Sequence, residues 1–280
     1  MTIRMMSIAA GALAAALACA PAHGFEQKTP LPDTLTLEQT HLLDSIENAL
    51  NVKECCRGTL ASCLNRKTPC PLAPRLHAFV KWLVVRATAP STIFVEADKR
   101  IESLTSTRKG VIDTAGYAIA GDSRAPILIA GYVSATCPIC HFVTHELYDA
   151  VTSGALAGKA RLMVKPLGNG FANRSLVAAN SMGRFWDFFI ALAKTKVRVS
   201  EELIYIVADS LGMSHGEFKR KISAPETDST VKAATLEAGV NGVTLTPSYF
   251  IDRVRYGSYK DPMWLIDAAE YRYEALKKAR

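Results

Sequence analysis

A chain of 280 residues, 49% hydrophobic and 21% charged, is long enough for one large or two small domains with a real core, and nothing in its composition suggests disorder or an internal repeat. The formal net charge of +7 is spread along the chain without a dense Lys/Arg run, which argues against a nucleic-acid-binding surface and for scattered solvated charge. Beyond the amino terminus no stretch reaches about 18 apolar residues, so the mature chain is expected to be soluble.

In chain order, the first 22 residues read as a secretory signal: Arg4 supplies the positive region, Met5 to Ala18 the apolar run, and Ala20-Pro21-Ala22 a small-x-small cleavage site. Ala16-Leu17-Ala18-Cys19 partly resembles a bacterial lipoprotein processing site, but its first residue is not the usual Leu, so anchoring through Cys19 is the less favoured alternative. Cleavage after Ala22 leaves six of the seven cysteines, an even number, in an oxidising compartment, periplasmic or secreted. Residues 23–33 are Pro-rich and polar, a flexible leader. A helix is then predicted from Leu37, Leu42, Leu43, Ile46 and Leu50, opened by Thr36 as N-cap with Glu38 in the first turn. Cys55, Cys56, Cys63 and Cys70 follow, broken by Gly58, Pro69, Pro71 and Pro74, which prevent one continuous helix. Structural disulfides are the first reading for these four, because a small helical region has little core of its own. Cys55 and Cys56 should each pair with Cys63 or Cys70, in a connectivity the sequence leaves open. A four-thiolate zinc site, for which the vicinal pair lacks the usual spacing, and a second redox relay are the alternatives. Helices predicted over Arg75 to Arg86, through Leu76, Phe79, Val80 and Leu83, and over Ile93 to Leu104 complete a small helical region, 34–108, bounded by Thr107 to Gly110.

The pattern then turns mixed. Val111 to Ala120 is predicted to hold a short strand, Gly121 to Arg124 a turn, and Ile127 to Thr136 a buried strand feeding Cys137-Pro138-Ile139-Cys140. The helical spacing of Phe142, Leu147 and Val151 places Cys137 at a helix N-cap. There the free N–H groups of Ile139 and Cys140 and the helix dipole favour a thiolate, while Pro138 suits the first helical position. A thiol pKa of about 8.5 can fall to roughly 3.5–7.5 in such a setting. His141 is read as an exposed helix residue, with a proton relay as the alternative. The same stretch spells C-x-x-C-H, the c-type haem attachment signature, and a purely structural disulfide is a further rival. The haem reading leaves the preceding strand and a distant Thr246-Pro247 unexplained, and thiol titration at defined redox potentials separates a structural disulfide from a catalytic pair. A second central strand is predicted over Arg161 to Leu167, then a loop at Gly168 to Gly170, helices over 172–239 punctuated by Gly183 and Gly212, a hairpin from Ser248 to Asp252 and Val254 to Tyr256, and a last helix from Met263 to Lys278. This is α/β with a helical insertion.

Over 111–276 the chain resembles the DsbA-type secreted thiol–disulfide oxidoreductases of the thioredoxin superfamily. The resemblance is carried by the Cys137–Cys140 motif, Gly183-Arg184-Phe185-Trp186, and Gly242-Val243-Thr244-Leu245-Thr246-Pro247. It implies a thioredoxin-like fold over 109–280, preceded by the small helical region. It implies Cys137 as nucleophile, Cys140 as resolving cysteine, and a cis Thr246–Pro247 bond whose loop helps hold a substrate backbone as an added strand. It implies no cofactor and no metal. The implied partners are unfolded or partly folded secreted proteins and a membrane-bound redox partner that recycles the dithiol. Leu245 stands where the family often has Gly, and Asp252-Arg253 replaces a usual Asn-Gly turn. Ile139 replaces the His of the strong oxidants and cannot donate to the thiolate, so Cys137 is expected to be less acidic than theirs. Thr136 and Thr246 resemble disulfide isomerases and reductases, which leaves the direction of electron flow open. A chaperone or binding module on the same scaffold is the reading from a different class. Phe185 and Trp186 are expected in the insertion core, with a substrate face as the alternative, and Tyr249 and Phe250 in strand core.

Overall fold

The computed structural model describes residues 34–68, 70–258 and 260–279. The expected signal peptide, Cys19 and the leader lie outside them. Helix α1, Leu37–Ala49, starts at a capping box: the Thr36 hydroxyl accepts from Gln39 N, and the Gln39 side chain accepts from Thr36 N. Leu43 and Ile46 form its buried face and Leu50 is buried just past its end, but Leu37 is exposed. It lies two and a half turns ahead of Ile46, on the opposite side of the cylinder.

A two-stranded antiparallel hairpin, β1 (Asn51–Val52) and β2 (Gly58–Thr59), leads into the short helix α2, Leu60–Leu64. Two nested disulfides brace it: Cys55–Cys70 and Cys56–Cys63, with Cα–Cα separations of 5.7 and 5.5 Å. All four sulfurs are thereby bonded in two pairs, as the first reading of the sequence expects. Helix α3, Leu72–Val85, begins three residues ahead of the predicted Arg75. Pro71 occupies its cap and Pro74 its first turn, where a missing N–H breaks no helical hydrogen bond. Helix α4, Pro90–Thr105, follows.

The central sheet has the order β4-β3-β5-β6. Strand β3, Ile127–Val133, is buried along its whole length and joins in parallel, through helix α5 (Pro138–Thr152), to β4, Ala160–Pro166. On its other side β5, Ser248–Ile251, runs antiparallel and turns into β6, Val254–Tyr256. The strand predicted within Val111 to Ala120 is not formed; the segment makes a single bridge, Ala120 to Leu162. Side chains take its backbone groups instead. Asn241 binds both the N–H and the C=O of Val111, Glu237 accepts from Asp113 N, and Asn180 accepts from Ala118 N.

Between β4 and β5 the chain folds into α6 (Phe171–Ser181), α7 (Phe185–Lys194), α8 (Glu201–Ser210), α9 (His215–Ser223) and α10 (Pro225–Val240), around Phe185, Phe188, Phe189 and Phe218. A buried ion pair ties α10 to the sheet: Lys165 Nζ lies 2.7 and 2.8 Å from the Glu237 oxygens, and Tyr132 donates to the same carboxylate at 2.5 Å. Helix α11, Pro262–Lys278, closes the chain. The helical region shares this core through Arg100, which is fully buried. Its guanidinium donates to Tyr256 Oη (2.7 Å) and the Trp264 carbonyl (3.1 Å), pairs with Asp267, and stacks over Phe79 and Trp264. Leu35–Arg280 is accordingly one unit.

The β5–β6 turn at Asp252-Arg253 has φ of 48° and 67°, the left-handed pair of a type I′ turn, formed here without Asn or Gly. A non-glycine side chain at Arg253 costs about 1 kcal/mol there. Arg253→Gly is therefore expected to stabilise the protein by about that amount, read as a higher denaturant midpoint at unchanged slope.

Candidate active site

The buried strand β3 delivers the chain to a tight turn in which Cys137 N donates to Ser134 O at 3.1 Å. Cys137 then caps α5 with extended φ/ψ, and its sulfur accepts from Cys140 N at 3.2 Å. Pro138 fills the first helical position, where no donor is needed. Asn173, which the sequence did not single out, stitches this turn to the loop after β4. Its side-chain oxygen accepts from Ala135 N (2.9 Å) while its nitrogen donates to Leu167 O (2.7 Å) and Gly168 O (2.9 Å). Its only local signal is its place just after Gly168-Asn169-Gly170, which does not distinguish it from any polar helix-start residue.

Both motif sulfurs are free thiols, Cys137 half-buried and Cys140 fully buried. They are pushed apart in acidity. The Cys140 side chain hydrogen-bonds the Cys137 sulfur and, helped by the N–H groups of Cys140 and Ile139 and the Thr246 hydroxyl, lowers its pKa from an ordinary 9.0 to about 6 against the opposing effect of burial. That same contact, together with burial, raises Cys140 far above the usual thiol range. The leading sulfur is thus a thiolate at neutral pH while its partner stays protonated.

The Thr246–Pro247 bond is cis. Pro247 is buried, the loop is closed by a 2.8 Å hydrogen bond from Ser248 Oγ to Leu245 O, and the Thr246 hydroxyl favours the thiolate at both cysteines. Two large apolar side chains stay in solvent around these segments, Ile139 in the motif at 48% exposure and Leu245 in the loop at 72%. A cleft of about 330 Å³ opens between Ser134, Thr136, Phe171, Val199 and Ile204.

His141 corrects the sequence reading. It is buried rather than exposed, its ring edge-on to Phe189 at 5.6 Å, and burial lowers its pKa and keeps it neutral. The face of α5 that carries it turns toward α7, a partner more than forty residues away in sequence. Phe185 lies in the insertion core as expected, whereas Trp186 is half-buried and packs on Tyr148. Tyr249 and Phe250 are strand core.

Residues 113–268, more than half of the chain, match the family described as Thioredoxin. The chain belongs to the thioredoxin family. Several solved structures are similar to it in fold. A thioredoxin-like oxidoreductase from Silicibacter pomeroyi is 22% identical, with 57% of this chain and 94% of that one covered at a TM-score of 0.51. Oxidised BdbD from Bacillus subtilis is 14% identical, with 59% and 97% covered at 0.52. Alpha-DsbA1 from Wolbachia pipientis is 20% identical, with 61% and 98% covered at 0.50. These likenesses show a shared thioredoxin-like fold. One curated relative is a Na(+)/H(+) antiporter NhaA from Nitrosospira multiformis, 31% identical over 90 residues. The matched stretch is 32% of this chain and spans only 14% of the antiporter's length.

Proposed function

We propose that this thioredoxin-family protein is a thiol–disulfide oxidoreductase that exchanges disulfides with protein substrates through Cys137 and Cys140. The observation that carries the reading is a half-buried thiol lowered to about 6 at a helix N-cap, one turn from a buried thiol that stays protonated. In this reading Cys137 forms the mixed disulfide and Cys140 resolves it. The loop at Thr246 and Pro247 offers backbone groups to an extended polypeptide, and Ile139 and Leu245 give its side chains apolar contact without demanding a particular sequence. Pro138 and Ile139 support the motif, the first by geometry and the second by leaving the thiolate without an added charge. Unfolded or partly folded secreted proteins fit such a surface as substrates, with a membrane-bound partner to reset the couple and a periplasmic or secreted location. Among the described residues no helix is long and apolar enough to cross a membrane. Residues 34–108 serve as a disulfide-braced helical region attached to a thioredoxin-like domain, 109–280.

A Cys137 value of about 6 lies between the roughly 3.5 of DsbA and about 7 of thioredoxin. Redox titration against glutathione should therefore return a potential between about −120 and −270 mV; a value below that of thioredoxin would contradict the assignment. Alkylation of Cys137 should be half-maximal near pH 6. Because the folded dithiol form binds fewer protons than the unfolded chain between about pH 6 and 9, its stability should rise with pH across that window and be lost as pH falls through 6. The oxidised form has no such thiolate, so melting curves of the two forms should diverge as pH rises.

A further inference from the structure

The cleft between Ser134, Thr136, Phe171, Val199 and Ile204 begins at the residue joined to the nucleophile, yet the exchange step itself makes no use of it. Three segments wall it: the turn ahead of α5, the start of α6 and the start of α8. Asn173 ties the first two together, since its amide bonds Ala135 N on the turn and Leu167 O ahead of the helix. The walls are therefore in place before a guest arrives.

Which wall groups already have partners decides what the cleft can take. The Ser134 and Thr136 hydroxyls bond each other at 3.1 Å, Ser200 Oγ accepts from Leu203 N at 3.1 Å, and both ends of the Asn173 amide are taken. Glu201 is exposed in the first turn of α8, where water and the helix dipole suit a carboxylate. What the cleft leaves uncovered is apolar. Phe171 and Val199 are half-buried, Ile204 is buried beside them, and the Phe171 ring rests tilted against Tyr205 at 5.9 Å.

We propose that this cleft is a side-chain subsite, taking one large apolar residue, aromatic or aliphatic, that lies within two positions of the reacting cysteine of a polypeptide substrate. The inference rests on the exchange function proposed above and names the substrate feature it favours. Thr136 is bonded directly to Cys137, and two residues of extended chain span about 7 Å, so a chain held on the Cys137 sulfur has its neighbouring side chains within reach of the cleft. The covalent bond makes that contact intramolecular, so a modest apolar gain is enough to sort substrates. At about 330 Å³ the cleft lies at the lower end of the range for ligand pockets, which suits one side chain rather than a folded segment.

The test uses full-length Cys140→Ser protein carrying glutathione on Cys137. It is equilibrated with blocked glycine peptides that hold one cysteine and one variable residue, placed one or two positions before or after it. Each peptide thiolate attacks the Cys137 sulfur, a new disulfide forms as the old one breaks, and the glutathione released, which takes up the proton, gives the exchange constant. In at least one of the four positions phenylalanine or leucine should be favoured over alanine about tenfold. Phe171→Ala and Val199→Asp should each cut that preference to about twofold or less, and Phe171→Leu should keep most of it. Because the preference is a ratio between two peptides, a change at the Cys137 sulfur itself cancels. Val199 lies between α7 and α8, outside both helices, so its variant reads the cleft independently of the Phe171 packing. A ratio below about twofold in all four positions overturns the inference, as does a preference that survives in both Phe171→Ala and Val199→Asp. A preference for lysine over phenylalanine also overturns it, since the Glu201 carboxylate would then set the choice. If every peptide displaces glutathione equally well, the exchange function stands and the subsite falls; if none does, the exchange function falls with it.

Discussion

Cys137→Ser is expected to reduce disulfide exchange to the uncatalysed background, and Cys140→Ser to convert the protein into a trap that accumulates mixed disulfides. The asymmetry follows from the two environments. Cys137 is the half-buried sulfur, it accepts the Cys140 N–H at 3.2 Å, and its pKa of about 6 makes it an anion at neutral pH. Only a thiolate attacks a disulfide sulfur, so a hydroxyl in its place leaves no nucleophile. Cys140 is fully buried with a raised pKa, so in the proposed exchange it stays a thiol until a mixed disulfide stands next to it. Without it the mixed disulfide has no internal exit. Reaction with a disulfide-bonded test protein followed by non-reducing electrophoresis reads both variants. Adducts from Cys137→Ser in the amounts given by Cys140→Ser would reverse the assignment.

Arg100→Met should destabilise the whole protein by about 3–5 kcal/mol, a large share of the 5–15 kcal/mol that holds a typical fold together. The guanidinium is fully buried and serves Tyr256, the Trp264 carbonyl and Asp267 at once, with aromatic faces of Phe79 and Trp264 against it. Removing it leaves a phenol and a carbonyl short of a donor and deprives a partly buried carboxylate of one of its two arginine partners, Arg75 being the other. Met fills much of the volume, so the loss reports the polar network rather than a cavity. Arg100→Lys keeps the charge but not the planar fork, and should fall between. Urea unfolding measures all three proteins. A loss below about 1 kcal/mol for Arg100→Met would mean that Arg100 does not couple the helical region to the sheet. Since Arg100 precedes the thioredoxin-like segment in sequence, a single cooperative transition is the expected form of the curve.

Much of the site could be read from the chain because it is built from local rules. A cysteine, a proline and a helical apolar period next to one another are enough to place Cys137 at an N-cap, since capping depends on three or four consecutive residues. The strand Ile127–Val133 announced itself by a continuous apolar run, and the following helix by its spacing. The cis bond at Thr246 and Pro247 was implied by the family resemblance rather than by local rules. What the sequence left open depends on which distant surfaces meet. Val111 to Ala120 carries strand-like residues, yet its hydrogen-bonding groups are claimed by Asn241, Glu237 and Asn180, more than sixty residues away. His141 looks exposed until α7 covers it, and four cysteines admit two pairings until the β1–β2 hairpin and α2 bring Cys56 to Cys63. By itself the sequence determined the Cys137–Cys140 motif, the helix that Cys137 caps and the order of the elements, because those follow from neighbours along the chain. Only the tertiary structure decided the burial of His141, the sharing of Arg100 between regions and the meeting of Thr144 with Tyr249, because each requires side chains from separate elements to be taken out of water together.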